Sequence, residues 1–169
     1  MAQIAPDQKF SLKIIKSGGD TLNLCIQCGT CTASCPSGRL TTLSIRTLYR
    51  MAQLGLENEV LFSDELWHCT TCYNCHERCP GGVQTVDVIF TLRNMAVQAG
   101  NMAKAHRIGA GYLLEYGHLV PINKTTREAR KELGMSEFPS IAMADQNCRK
   151  EIQIILKATK FDKLAEVKK

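Results

Sequence analysis

Apolar residues recur at helical spacing along most of this chain, so the pattern predicts helices almost throughout. Between residues 40 and 54 a leucine or methionine returns mostly every three or four positions, and Gly55 follows where a C-terminal cap belongs. This segment predicts a helix over 42–54. Similar patterns predict three further helices, over 85–99, 102–116 and 146–160.

Polar residues mark the start of two shorter helices. Ser63 precedes Asp64 and Glu65, which is typical of an N-cap followed by carboxylates in the first turn. Thr125 and Glu128 have the spacing of a capping box, which predicts a helix ending near residue 133. The sequence therefore predicts a mainly α protein.

The first twenty residues show a different pattern. Phe10, Leu12 and Ile14 alternate with polar residues, which predicts a short strand, and two glycines then interrupt it. We expect an N-terminal arm over 1–20, a helical domain over 21–100, and a helical extension over 101–169 that packs on the domain and on partner subunits.

A repeated cysteine motif is the main chemical signal in the chain. The pattern Cys-x-x-Cys-x-x-Cys-x-x-x-Cys-Pro occupies residues 25–36 and recurs at 69–80. Thiolates ligate the irons of a cubane, and three at this spacing can hold three of its corners. Zinc sites usually pair two separated Cys-x-x-Cys knuckles, so zinc is the weaker alternative. Two like motifs predict two 4Fe-4S clusters.

The fourth cysteine of each motif requires a separate assignment. The motif resembles that of bacterial two-cluster ferredoxins, in which this cysteine ligates the other cluster. The resemblance implies a first quartet and a second quartet of ligands. They are Cys25, Cys28, Cys31 and Cys79 for the first, and Cys69, Cys72, Cys75 and Cys35 for the second. The ninth cysteine, Cys148, stands apart and is interpreted as a small hydrophobic residue.

Composition and charge exclude several other classes of protein. The net charge of +5 is spread out and aromatic residues make up 6%, so no dense basic patch with interleaved aromatics predicts nucleic-acid binding. No apolar stretch is long enough for a membrane span, and residues 1–16 lack the apolar core of a secretory signal. We therefore expect a cytoplasmic protein whose cysteines bind metal rather than form disulfides.

The helix between the two motifs departs from small ferredoxins and resembles the alpha-helical ferredoxin domain of several respiratory iron–sulfur subunits. The residues around the cysteines most resemble those of the C subunit of heterodisulfide reductase, and this resemblance covers about 20–165. The segments that carry this resemblance are 25–36, 54–56, 67–80 and 155–162.

This resemblance implies an electron-transfer subunit of a cytosolic methanogen complex. Electrons would pass from a flavin subunit through the two clusters to a catalytic subunit, which reduces the mixed disulfide of coenzymes M and B. The chain has no Cys-Cys pair, the hallmark of that catalytic subunit, so we expect a relay without catalytic residues. Iron–sulfur subunits of glycerol-3-phosphate, glycolate, succinate or fumarate oxidoreductases are the alternatives. The succinate and fumarate type would need a further N-terminal motif, Cys-x4-Cys-x2-Cys, and the glycerol-3-phosphate and glycolate type usually continues into a cysteine-rich domain.

Overall fold

A computed structural model describes residues 8–139 and 146–165, and within these ranges the chain forms helices and no β-strand. The predicted mainly α class is confirmed. The chain divides into two compact units, residues 1–101 and 102–169. The first unit contains α1 (Gln8–Lys16), α2 (Thr30–Ala33), α3 (Ile45–Gln53), α4 (Glu57–Leu61), α5 (Asn74–Glu77) and α6 (Thr85–Gln98). The second contains α7 (Lys104–Tyr116), α8 (Lys124–Glu132), α9 (Gln146–Ala158) and α10 (Phe161–Ala165).

The strand predicted near the N-terminus is wrong, because this segment is helix α1. Phe10 and Ile14 are four residues apart, so a helix places both on one face, and both are buried in the first unit. Leu12, which a strand would have placed on the same side, is 53% exposed. Residues 1–7 of the predicted arm lie outside the described residues.

Helices α3 and α6 form the centre of the first unit. Leu48 and Tyr49 on α3, and Ile89 and Leu92 on α6, are almost fully buried. Ser44 caps α3, with its hydroxyl accepting from the backbone N–H of Thr47, so the helix begins three residues later than predicted. Burial of this apolar surface is the main stabilising contribution to the unit.

Shorter helical pieces connect α3 and α6 to the cysteine motifs. Three 3-10 helices cover Asp20–Leu24, Ser37–Arg39 and Asp64–His68. The predicted N-cap at Ser63 is confirmed, because its hydroxyl accepts from the N–H of Glu65. The third cysteine of each motif lies in one of the two four-residue helices, α2 and α5, which pack against each other.

The second unit has little buried apolar surface of its own. Its buried side chains in the described ranges are small: Ala110, Pro139 and Ala165. Helix α8 is capped by Asn123 in a capping box with Thr126, so the predicted box at residue 125 was placed two residues too late. Helix α7 ends at Gly117 in the left-handed conformation, as the sequence predicted.

Candidate metal centres

The two cysteine loops share an unusual backbone geometry. Gln27 and Gly29 have φ values of 60° and 84° in the first loop, and Thr71 and Tyr73 have values of 54° and 61° at the same positions of the second. Left-handed backbone is uncommon at residues other than glycine, and it concentrates at functional sites. Alternation of left- and right-handed residues turns successive N–H groups toward one concave side, a geometry found at many iron–sulfur sites.

The first quartet surrounds a single pocket. Its wall includes Cys25, Cys28 and Cys31 from the first motif together with Cys79 from the second. Tyr49 and Thr85 complete the inner part of the wall. The donor set is therefore four thiols around one space, and this set fits a cubane cluster.

The second quartet is the more buried of the two. Cys35 and Cys75 are 6% and 7% exposed, and they belong to the hydrophobic core of the first unit. Burial raises the pKa of the Cys75 thiol, and charge on the neighbouring sulfurs of Cys69 and Cys35 raises it further, against a lowering hydrogen bond from Thr85. Two of the four sulfurs of this quartet thus lie where water has little access.

Backbone N–H groups point at cysteine sulfurs from both motifs. Gly38 N–H donates to Cys35 Sγ at 3.3 Å, and Val83 N–H donates to Cys79 Sγ at 3.3 Å. Such donors stabilise sulfur that carries negative charge, as it does when it ligates iron. The residues present thus fit the predicted clusters.

Each quartet also has one sulfur at the surface. Cys28 and Cys72, the second cysteines of the two loops, are exposed. Hydrogen bonds with Thr30 lower the pKa of the Cys28 thiol, whose Sγ lies 3.3 Å from the Thr30 hydroxyl. Every motif cysteine lies in the first unit, whereas Cys148 is half-buried in α9 of the second unit.

Arg93 of α6 holds the entrance to the second loop. Its Nε donates to the carbonyl oxygen of Leu66 at 2.8 Å, and an Nη donates to that of Cys69 at 2.6 Å. The guanidinium also lies over the Trp67 ring, 5.5 Å from the ring centre. Burial lowers the pKa of Arg93, and charge on the Cys69 sulfur raises it. This side chain fixes the direction from which the backbone enters the motif.

Tyr49 lies among sulfurs of both quartets. Its side chain is fully buried, and its hydroxyl donates to the backbone carbonyl of Thr85. Burial raises the pKa of Tyr49 well above its ordinary value, and charge on Cys75 and Cys31 raises it further, so the hydroxyl remains protonated. Tyr49, Thr85 and Arg93 were not identified from the sequence, because each acts on a motif that is distant along the chain and leaves no local signal.

Two observations limit the other kinds of site. Within residues 8–139 and 146–165, no three His, Cys, Asp or Glu side chains converge closely enough to hold a single metal ion. No helix in the same ranges is both long enough and apolar enough to cross a membrane.

Residues 21–83, which include both motifs, match the family model described as a 4Fe-4S dicluster domain. The site therefore defines a protein that binds two 4Fe-4S clusters. The chain is also 48% identical over 158 residues to the C subunit of the H(2):CoB-CoM heterodisulfide,ferredoxin reductase of Methanothermobacter thermautotrophicus, across 94% of this chain and 85% of that one.

Two other relatives agree with this match. The identity is 50% over 144 residues to the iron-sulfur C subunit of the CoB--CoM heterodisulfide reductase of Methanopyrus kandleri, across 85% and 75% of the two chains. It is 43% over 157 residues to the C subunit of the Ferredoxin:CoB-CoM heterodisulfide reductase of Methanosarcina mazei, across 93% and 97%. The chain belongs to the family of heterodisulfide reductase C subunits.

Proposed function

We propose that this chain relays electrons in a cytoplasmic heterodisulfide reductase complex. Electrons would enter from a flavin-containing subunit, pass through the two 4Fe-4S clusters, and leave to the catalytic subunit that reduces the CoB-CoM heterodisulfide. The clusters supply one-electron transfer when they are bound. The chain's own residues hold them, exclude water from their inner side, and set their distance from the surface.

The proposed ligands are the two quartets predicted from the motifs. The observation that carries this assignment is the pocket of the first quartet, in which Cys79 shares the wall with Cys25, Cys28 and Cys31. Because Cys79 joins the first quartet, Cys35 is the motif thiol left for the second, and Cys35 and Cys75 are buried in the same hydrophobic core. Cross-ligation of this kind would fasten both motifs into one rigid unit.

The exposure of one cysteine in each quartet supports a relay between two partners. Cys28 and Cys72 belong to different quartets and both are exposed, so each cluster would have its own edge near solvent. A protein that takes electrons from one partner and gives them to another needs two such edges. The buried sulfurs Cys35 and Cys75 lie on the inner side.

The second unit supports assembly into a hetero-oligomer. Several of its large apolar residues are exposed, among them Ile108 at 47%, Leu133 at 75% and Ile154 at 66%. The helical spacing of Ile152, Ile155 and Leu156 predicts that all three face inward, but Ile155 is 60% exposed. Exposed apolar surface on one small unit is typical of a protein interface. The relatives are named as subunits, and we infer that this unit docks on the flavin-containing and catalytic subunits.

Substitution of single cysteine ligands tests the assigned quartets directly. We expect Cys79→Ser to damage the first cluster and Cys35→Ser to damage the second, while Cys148→Ser leaves both intact as the matched control. Electron paramagnetic resonance of the reduced protein can separate the two signals, and iron analysis gives the loss. If each substitution harmed only the cluster of its own motif, the quartets would be wrong.

Reconstitution with partners tests the relay. The chain would be expressed with candidate flavin-containing and catalytic subunits, and heterodisulfide reduction would be followed with and without it. We expect transfer from the flavin to require the loaded chain and to fail with the Cys35→Ser and Cys79→Ser variants. Undiminished turnover in a complex that lacks this chain would contradict the proposal.

The alternatives raised from the sequence receive no comparable support. The relatives above have heterodisulfide reductase names and match over 75% to 97% of their lengths, whereas the succinate, fumarate, glycolate and glycerol-3-phosphate types rest on the motifs alone.

A further inference from the structure

A buried threonine hydroxyl points at one sulfur of the second quartet. Thr85, the first residue of α6, is 1% exposed, and its Oγ1 donates to Cys75 Sγ at 3.1 Å. Cys75 is itself 7% exposed, so water has little access to this sulfur. The positive end of the α6 dipole lies at the same residue, which adds to the favourable field.

The first quartet has a hydroxyl contact of a different kind. The Thr30 hydroxyl lies 3.3 Å from Cys28 Sγ, but Cys28 is exposed and water can replace that hydroxyl. Of these two threonines, Thr85 is the one whose hydroxyl is buried, so solvent cannot replace its hydrogen bond to Cys75 in the second quartet. The Thr85 hydroxyl therefore donates directly to a sulfur of the second quartet, while Thr85 also lines the pocket of the first.

We propose that Thr85 raises the reduction potential of the second cluster through its hydrogen bond to Cys75, and that Tyr49 is a positioning residue for this bond. The proposal deepens the relay function, and it rests on the assignment of Cys75 to the second quartet.

Tyr49 acts through the backbone of Thr85. Its hydroxyl donates to the Thr85 carbonyl, and its ring, which α3 carries, is fully buried. This contact joins residues 36 positions apart in the chain and holds the first turn of α6 against α3. The side chain of Thr85 is thereby held with its hydroxyl toward Cys75.

The sign of the effect follows from charge. Uptake of one electron makes the sulfur ligands more negative, and a hydrogen-bond donor stabilises the more negative state. Thr85 keeps its proton throughout, and no bond forms or breaks. Burial of Cys35 and Cys75 acts in the opposite direction, because a desolvated site disfavours added negative charge. Thr85 thus offsets a cost that burial imposes on the second cluster.

Potentiometric titration of the loaded chain, followed by electron paramagnetic resonance, measures the effect. Thr85→Val keeps the shape and removes the hydroxyl. We expect the reduction equilibrium constant of the second cluster to fall about tenfold, which equals ~59 mV for a one-electron couple. Thr85→Ser should restore the wild-type value, and Tyr49→Phe should give a smaller shift in the same direction. Thr91→Val is the matched control: it removes another buried hydroxyl of α6, one that donates to the Ser17 carbonyl, and it should leave both potentials near those of the wild type.

The Cys28→Ser and Cys72→Ser variants, each of which removes a ligand from the cluster's own loop, identify which signal belongs to which cluster. An unchanged second-cluster potential in Thr85→Val, with both clusters present, would overturn the proposal while leaving the ligand assignment and the relay intact. If Thr85→Val does not retain both clusters, Thr85→Ala is titrated in its place. Should neither retain them while Thr85→Ser does, the role of Thr85 is structural and the proposal is overturned.

Discussion

Replacement of Arg93 by methionine tests how the second cysteine loop is held. Arg93 is 9% exposed, and its guanidinium donates to the carbonyl oxygens of Leu66 and Cys69 while it lies over Trp67. Methionine retains much of the length and apolar stem, but it removes both hydrogen bonds. Two carbonyl groups at the entrance of the loop would then lose their charged donor.

The expected loss can be worked out from these contacts. A hydrogen bond to a charged group contributes ~1.5 to 3 kcal/mol, and the contact with the Trp67 ring adds ~0.5 to 1 kcal/mol. Removal of a buried charge offsets part of this loss, as the lowered pKa of Arg93 indicates. We expect a net destabilisation of about 3 kcal/mol, which corresponds to bleaching up to about a hundredfold faster if the contacts break before the rate-limiting step.

The measurement is the loss of visible absorbance in denaturant under anaerobic conditions, with the two clusters distinguished by electron paramagnetic resonance. The second cluster should be lost first, because Arg93 bonds the carbonyl of its ligand Cys69. Arg93→Lys is the control that keeps the positive charge without the planar fork that reaches two carbonyls. If the fork is what holds the loop, the lysine variant should also bleach faster than the wild type.

Wild-type bleaching rates in Arg93→Met would refute this reasoning. Loss of the first cluster before the second would also contradict it, since the contacts of Arg93 are with the second loop.

Three further predictions concern packing and metal content. Gly38→Ala should destabilise the holo-protein by ~1 to 3 kcal/mol and loosen the second cluster, because the added Cβ would lie 2.8 Å from the Leu43 carbonyl oxygen. Thermal melting measures the loss, and Gly109→Ala in α7, where an added Cβ has no neighbour within 4 Å, is the control. Anaerobic protein should contain about eight iron atoms and eight sulfides per chain, and removal of the iron should unfold the first unit; an unchanged cooperative melt by circular dichroism would contradict this expectation. Cys148→Ala should leave the iron content unchanged, whereas a fall would show that this cysteine is a ligand.

Helix prediction from the sequence was successful where apolar spacing was regular, and it failed where two periods fit the same residues. Residues 85–98 carry a long apolar pattern and form α6 within one residue of the predicted ends. Phe10, Leu12 and Ile14 alternate with polar residues, as in a strand. Phe10 and Ile14 are also four residues apart, as on one face of a helix. Tertiary packing decided between them, because the core has room for Phe10 and Ile14 on one face, while Leu12 remains exposed.

The sequence by itself determined the cofactor and the family, because ligand chemistry depends on residue type and local spacing. Eight cysteines in two identical patterns are sufficient to predict two clusters, whatever the surrounding fold. The tertiary structure decided what surrounds each sulfur. Cys79 shares a pocket with the first motif, Thr85 reaches Cys75, and Arg93 reaches the Cys69 carbonyl. These contacts join residues distant in the chain, and their geometry follows from the tertiary packing of the first unit, which no local pattern encodes.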